Sequence, residues 1–196
     1  MSSRKFDVVL EEARRGACWA CTEIYESLAP PVAGYLRAQG AAEPDDLASE
    51  VFLRVFSGCG SFSGSEAQFR SWVFAIAHSR LVDARRVRNR LPEIIVLDDE
   101  RLDLECPASA GAEEEVMDRL EREEVHELME ALTDDQTDVL ALRLLGQLSV
   151  DQVAEILEKP PGAVRSLQHR ALATLRRRLG ERTSSAAGAA DAMLHL

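Results

Sequence analysis

The sequence has little cysteine, no long hydrophobic run and no β-strand pattern of useful length. Its four cysteines, Cys18, Cys21, Cys59 and Cys106, are too few and too scattered to frame a disulfide-rich fold in 196 residues. No apolar run approaches the about 20 residues that a membrane span needs, and the N-terminal segment lacks the apolar core of a secretion signal. We therefore expect a cytoplasmic protein without a membrane segment.

A net positive charge is also missing, which at first argues against a nucleic-acid partner. The net charge is −11, but residues 91–132 hold 15 acidic and 3 basic residues, so the rest of the chain sums to about zero. Six arginines stand against two acids in residues 66–90, and six against one acid in residues 160–182. Because local charge governs phosphate binding, these two segments remain candidates for contact with DNA.

Residues 149–178 have the pattern of a helix-turn-helix. Ser149 can cap a first short helix, Pro160 and Pro161 end it, and Pro161 or Gly162 can open the second helix. The turn contains Glu158-Lys159-Pro160-Pro161 where most such motifs have a glycine. Early residues of the second helix would reach base edges, and later arginines would contact phosphates. A helical hairpin whose arginines form only a solvated face would give the same pattern. The candidates for base edges are Arg165, Ser166, His169 and Arg170, and those for phosphates are Arg176, Arg177 and Arg178.

The first part of the chain, from about residue 6 to 90, predicts four or five helices. Breaks are expected at Pro30-Pro31, at residues 40–44 and in the glycine- and serine-rich loop 57–65. In residues 45–56 two adjoining apolar stripes predict one packed side. Another long helix, rich in arginine, is predicted from residue 65 to 90. The expected core positions are Leu47, Ala48, Val51, Phe52, Val55 and Phe56 in the earlier helix, and Phe69, Val73, Ile76, Ala77 and Leu81 in the later one.

The remaining segments complete a prediction of an all-α protein with two small helical domains. Residues 91–112 contain prolines, a glycine and many acids, and form the expected acidic linker. Residues 113–182 form the second helical domain, and residues 183–196 a frayed, flexible tail of small residues.

The Cys18-Trp-Ala-Cys21 pair is the one alternative that would make this chain a redox enzyme or sensor. It could also be half of a zinc site. However, no strand precedes it, and no second such pair or paired histidines complete four ligands. We interpret the two residues as helix cysteines, and we predict no metal, cofactor or catalytic residue.

Taken together, these segments resemble the extracytoplasmic-function (ECF) sigma factors of bacterial RNA polymerase. Residues 45–56 are similar to the polymerase-docking helix of that family, residues 69–86 to its promoter-melting helix and residues 149–178 to its second DNA-binding domain. The resemblance implies that residues 1–90 are sigma region 2, that residues 113–182 are region 4, and that the protein directs promoter-specific initiation without catalysing a reaction. The implied partners are core RNA polymerase, through its β′ clamp helices and β flap, promoter DNA, and an anti-sigma factor.

The resemblance also implies residue roles. Polymerase contacts would come from the rim of the docking helix, at Asp45, Asp46, Glu50, Phe52 and Arg54. The minus-10 element would be opened by aromatic and polar side chains, because unpaired bases stack on aromatic rings while cations follow the phosphates. These are Phe62, Phe69, Arg70, Trp72, His78, Ser79, Arg80, Arg85 and Arg86. Phe62 is the better candidate for a flipped base, and Trp72 suits the core and DNA equally. The minus-35 element would be read by Arg165, Ser166, His169 and Arg170, with Arg176 and Arg177 on phosphate.

Three positions refine this resemblance. Ser49 and Ser79 stand where the family usually has glutamine and asparagine, so its promoter preference does not transfer. Asp83 fits the family pattern, and we expect it to orient Arg86 or Arg80.

The linker carboxylates could mimic RNA in the polymerase channels or act only as a solubilising tether. The competing interpretation of the whole chain is a stand-alone helix-turn-helix regulator that binds DNA as a dimer.

Overall fold

Every regular element that the structure describes is a helix. The computed structural model describes residues 3–90, 128 and 131–193, with side chains for 5–88, 128 and 131–181. The helices are α1 (Ser3–Arg14), α2 (Cys18–Ala38), α3 (Pro44–Gly58), a short 3-10 helix (Cys59–Ser61), α4 (Glu66–Arg90), α5 (Asp134–Leu144), α6 (Val150–Ile156) and α7 (Pro161–Met193). The predicted all-α class is confirmed. The predicted linker 91–112 lies outside the described residues, as do residues 113–127.

Helices α1 to α4 pack around one apolar core. The apolar positions predicted for α3 and α4 supply much of the buried surface of these two helices. Ala48, Val51, Phe52 and Val55 of α3 are buried, and the ring of Phe52 meets that of Tyr25 edge-on at 4.9 Å. In α4 the buried positions include Phe69, Val73, Ala77 and Leu81, as predicted from their helical spacing.

The predicted break at Pro30-Pro31 is wrong, because both prolines lie inside α2. A proline cannot donate its backbone nitrogen, so the carbonyls of Glu26 and Ser27 lose their usual helical donors. Both of those residues are exposed, and water can satisfy their carbonyls. Residues on both sides of the prolines are buried, so core packing holds the helix through the pair. These buried residues are Leu28, Val32, Tyr35 and Leu36.

The other two predicted breaks are confirmed. Helix α2 ends at Ala38, and Gly40, two residues later, has a φ of +69° that is easily reached without a Cβ atom. Helix α3 runs to Gly58 and the 3-10 helix to Ser61, so the irregular part of the loop is residues 62–65.

The second half consists of α5, α6 and α7. Helices α5 and α6 both begin with a capping box, in which Thr133 and Ser149 accept from the amides of Gln136 and Gln152. Helix α7 continues to Met193, beyond the end at residue 182 that the sequence predicted. The added segment is rich in alanine, the residue with the strongest helix propensity.

The two halves are in contact. Helix α5 packs against α2, and α6 packs against α4. Val139, Leu142 and Val153 of the second half belong to the same buried cluster as Tyr35 and Phe74 of the first. The two halves therefore share one main apolar core, and a smaller buried cluster of Leu132, Leu140 and Ala171 lies within the second half.

Candidate nucleic-acid interface

Helix α6 starts at the predicted cap. The Ser149 hydroxyl accepts from the Gln152 amide at 3.2 Å, and Gln152 Oε1 accepts from the Ser149 amide at 2.8 Å. A helix of seven residues makes few internal hydrogen bonds, so this reciprocal cap satisfies two of its free donors. The cap fixes the start of the motif that orients α7.

The turn after α6 has the geometry of a glycine-bearing turn without the glycine. Glu158 adopts a left-handed φ of +52°. The Lys159 amide donates to the Ala154 carbonyl at 3.0 Å, and the Glu158 amide to the Glu155 carbonyl at 3.4 Å. This is the Schellman pattern, which normally has glycine at the left-handed position. The sequence offered no signal for it, because glutamate rarely takes this conformation.

Helix α7 has one buried side and one exposed polar side. Val164, Leu167 and Ala171 point inward, each at most 8% exposed. The predicted DNA contacts lie on the opposite side, and all are exposed: Arg165, Ser166, His169, Arg170, Arg176 and Arg177. Ser166 Oγ donates to the Gly162 carbonyl at 3.0 Å, and Arg170 Nε donates to the Ser166 carbonyl at 3.3 Å. The bond of Arg170 uses only its Nε, so the terminal NH2 groups of its guanidinium can reach outward.

An aromatic cluster joins the loop to α4. Phe62 stacks on Trp72 with ring centroids 5.2 Å apart, and it meets Phe69 edge-on at 5.1 Å. Phe69 is 1% exposed and belongs to the core, whereas Phe62 and Trp72 are half-buried. The Phe62 carbonyl accepts from Arg14 of α1, which ties the loop to the helical body. Of the three predicted aromatic contacts, only Phe62 and Trp72 therefore present a surface for a base.

The predicted minus-10 arginines differ in what they already bind. Arg80 lies 3.8 Å from the Glu50 carboxylate of α3, and Arg86 lies 3.5 Å from Asp83. The predicted pairing of Asp83 with Arg86 is confirmed. Arg85 instead donates Nη2 to both the carbonyl and Oε1 of Gln39, at 2.7 and 2.8 Å. Arg85 thus ties α4 to the end of α2 and has a structural role that the sequence did not predict.

His78 faces the second half of the chain, with Nδ1 3.7 Å from the carboxylate of Asp138, and is only partly exposed. Its Nδ1 lies 2.8 Å from the hydroxyl of Tyr35, and its side chain is 19% exposed. Burial lowers the pKa of His78, and the nearby carboxylate of Asp138 partly offsets this lowering. Two other predicted minus-10 contacts, Ser79 and Arg70, are exposed and half-buried respectively.

The predicted docking helix presents a rim and an open groove. Asp46, Glu50 and Arg54 are exposed, and Asp45 pairs with Arg37 at 2.5 Å. Phe52 is 2% exposed, so its predicted polymerase contact is not available at the surface. The groove, of about 480 Å³, is lined by Glu50, Leu53, Arg54, Ser57, Gly58 and Arg80. Leu53, 70% exposed, was missed because its position falls outside both apolar stripes.

The three cysteines that the structure describes differ in exposure. Cys18 is exposed, Cys21 is half-buried and Cys59 is buried, and all three are free thiols. Burial raises the pKa of the Cys59 thiol. Within the described ranges, no group of three histidine, cysteine or acidic side chains is placed to hold a metal ion.

Among the helices that the structure describes, none is both long and apolar enough to cross a bilayer.

Both halves of the chain match known protein families. Residues 24–91 match the model of Sigma-70 region 2, and residues 122–175 match Sigma-70, region 4. The ECF RNA polymerase sigma factor BldN of Streptomyces coelicolor is 32% identical over 181 residues, covering 91% of this chain and 67% of BldN. SigD of Mycobacterium tuberculosis is 31% identical, covering 90% of this chain and 84% of SigD.

The fold has a solved counterpart as well. The structure of CnrH in complex with the cytosolic domain of CnrY matches with a TM-score of 0.62 at 20% identity, covering 89% of this chain and 96% of that one. The family-model matches and the two relatives in sequence favour a sigma factor over a stand-alone regulator. The chain belongs to the ECF family of RNA polymerase sigma factors, which bind core RNA polymerase and direct it to promoters.

Proposed function

We propose that the exposed face at the start of α7 reads the minus-35 element, that the loop 62–65 with α4 opens the minus-10 element, and that the rim of α3 docks on the β′ clamp helices. Region 4 would also contact the β flap. The protein would catalyse no reaction itself and would act in the cytoplasm, where the polymerase works. One observation carries this proposal: four polar side chains are exposed on the first turns of a helix whose opposite side is buried.

Base reading at the minus-35 element suits the side chains at the start of α7. Arginine can donate two hydrogen bonds to O6 and N7 of one guanine, the commonest specific contact in the major groove. Arg165 lies on the second turn of α7 and is exposed, as a base contact requires. Arg176 and Arg177 lie three turns further along, where the helix would leave the groove and meet phosphate.

Base capture at the minus-10 element suits the half-buried pair Phe62 and Trp72. An unpaired base gains about 1–3 kcal/mol by stacking on an aromatic ring. Arg70, half-buried on the same helix as Trp72, would follow the phosphates. Ser79 and Arg86, both exposed on α4, would meet the strand further along.

Polymerase docking suits the groove beside α3. It is lined by the exposed Leu53, by Glu50 and Arg54 of α3 and by Arg80 of α4. An exposed leucine flanked by charged side chains suits the binding of an amphipathic helix. A partner there would also compete for the pair between Glu50 and Arg80.

The test is transcription by purified core RNA polymerase from genomic DNA fragments, with transcript starts sequenced. The intact protein should add discrete starts that share two upstream elements. On one such promoter, Arg165→Ala should weaken binding by roughly 5- to 150-fold, and the loss should disappear when the contacted base pair is changed. Arg15→Ala is the charge-matched control, because Arg15 directly follows α1 and pairs with Glu11 and Glu12.

The minus-10 assignment has its own test. The reactivity of thymines toward permanganate reports how much of the strand is open. Phe62→Leu should lower this reactivity and Phe62→Tyr should preserve it, since only tyrosine retains the aromatic face. Equal opening by both variants would remove Phe62 from the site. An absence of added transcript starts with the intact protein would overturn the sigma-factor proposal itself.

A further inference from the structure

The Trp72 indole packs against the backbone of Gly58, the last residue of α3. A Cβ atom at residue 58 would lie 2.9 Å from Cζ2 and 3.1 Å from Cη2 of the indole. Carbon atoms that are not bonded to each other pack best at about 3.5–4.0 Å. The indole therefore occupies the space that a side chain at residue 58 would need.

The backbone of Gly58 gives no separate reason for a glycine. Its φ of −92° and ψ of −11° place it in the right-handed helical region, which alanine adopts as readily as glycine. At the end of a helix with these angles, alanine would also lose less freedom on folding. Space for the Trp72 ring, and not backbone conformation, explains the glycine.

The backbone around Phe62 is fixed on both sides. The Phe62 amide donates to the Cys59 carbonyl at 3.3 Å, and the Phe62 carbonyl accepts from Arg14 of α1. Just before α4, the Ser65 amide donates to Gln68 Oε1 at 2.8 Å. With the backbone held in this way, the orientation of the Phe62 ring depends on the rings that it touches.

Trp72 and Phe69 are those two rings. Trp72 is stacked on Phe62 with an interplanar angle of 28°, whereas Phe69 meets Phe62 at 86°. Phe69 is 1% exposed and packs within the core, so its position is set by the fold. Trp72 is only half-buried, and Gly58 lies against its ring. A displacement of the indole away from Gly58 would therefore also move Phe62.

We propose that Gly58 is a positioning residue for base capture at the minus-10 element: because it has no side chain, the Trp72 indole can lie where it supports the Phe62 ring for stacking on an unpaired base. The inference rests on the proposed function and deepens it, since it concerns the same aromatic pair. A side chain at residue 58 would push the indole back by roughly 0.6 Å, the difference between 2.9 Å and normal carbon contact at about 3.5 Å.

The first measurement follows Trp72 without polymerase or DNA. The chain has two tryptophans, so Trp19→Phe, at an exposed position of α2, leaves Trp72 as the only one. In that background Gly58→Ala should increase the quenching of Trp72 fluorescence by acrylamide, because the indole is displaced toward solvent. Gly60→Ala is the matched control, since a Cβ atom there has open space around it, and it should leave the quenching unchanged. A cooperative thermal transition checks that each variant is folded.

The second measurement is promoter opening with core polymerase, read from the reactivity of thymines toward permanganate. Complete loss of base stacking corresponds to roughly 5- to 150-fold, and the partial displacement in Gly58→Ala should lower the opening by about 3- to 10-fold. Gly60→Ala should open the promoter as the wild type does. Trp72→Phe removes the indole atoms nearest to residue 58, so in that background Gly58→Ala should cause no further loss.

The double variant also excludes an effect through polymerase docking. Gly58 lines the groove beside α3, so its replacement could weaken the binding of polymerase instead. A loss through the groove would persist in the Trp72→Phe background and would accompany a weaker affinity for core polymerase. That result would overturn the positioning role, whereas an unchanged affinity and a loss that depends on Trp72 would support it.

The remaining outcomes separate this inference from the proposed function. Unchanged quenching in Gly58→Ala would show that Gly58 does not position the indole. Increased quenching with unchanged promoter opening would show that this position does not serve base capture. Either result overturns the role of Gly58 even if the wild type directs transcription. Failure of the wild type to add transcript starts overturns the proposed function, and the quenching result stands apart from it.

Discussion

Replacing Glu158 by glycine is expected to stabilise the protein. Glu158 holds a φ of +52° in the turn between α6 and α7, and its side chain is exposed. An ordinary residue in this left-handed region pays about 1–2 kcal/mol for the contact between its Cβ and the backbone. Glycine avoids that contact, so the turn would form without strain.

The net gain is smaller than the strain, because glycine also increases the freedom of the unfolded chain by about 0.5–1 kcal/mol. The difference leaves Glu158→Gly about 1 kcal/mol more stable. For a chain of this size that corresponds to a rise of about 2–4 °C in Tm. Glu158→Ala is the matched control, because it removes the same carboxylate and keeps the Cβ atom.

The measurement is thermal unfolding followed by circular dichroism, with non-specific DNA affinity as a second readout. Both variants lose one negative charge beside the proposed DNA-reading helix, so both should bind DNA more tightly by the same factor. Only the glycine variant should gain stability over alanine. Equal Tm values for the two would refute the reasoning, since they would show that the left-handed turn at residue 158 carries no strain.

Three further predictions concern other parts of the molecule. Ser149→Ala removes the cap of α6 and should cost about 1 kcal/mol, a fall of about 2–4 °C in Tm; an unchanged Tm would mean that the capping box does not stabilise α6. Iodoacetamide should alkylate the exposed Cys18 first and Cys59 only after unfolding, because burial shields the Cys59 thiol and raises its pKa. Peptide mass spectrometry measures the order of alkylation, and the reverse order would contradict the prediction. Arg176→Ala should make the slope of log K against log salt less steep by about 0.9, and an unaltered slope would rule out a phosphate contact there.

Local signals account for what the sequence predicted well. The caps, the helical spacing of apolar residues and the end of α2 just before Gly40 each depend on a few neighbouring residues. The prediction failed at Pro30-Pro31, where buried neighbours override a local helix breaker. It had no access to the contact of Asp138 with Tyr35, which joins residues 103 positions apart. An aspartate in an acidic stretch gives no sign that it will be buried.

The arginines of α4 show why a count of charges is a poor guide to a DNA-binding surface. Arg80 and Arg86 pair with exposed carboxylates, and such pairs contribute only about 0–1 kcal/mol, so phosphate can replace the carboxylate. Arg85 donates two hydrogen bonds to Gln39, which is 6% exposed, and moving it would leave buried acceptors unsatisfied. DNA bound along α4 would therefore recruit Arg80 and Arg86 at little cost, whereas Arg85 would stay with the fold. A salt titration of Arg85→Ala should accordingly leave the slope of DNA binding unchanged while lowering Tm, the reverse of the result expected for Arg86→Ala.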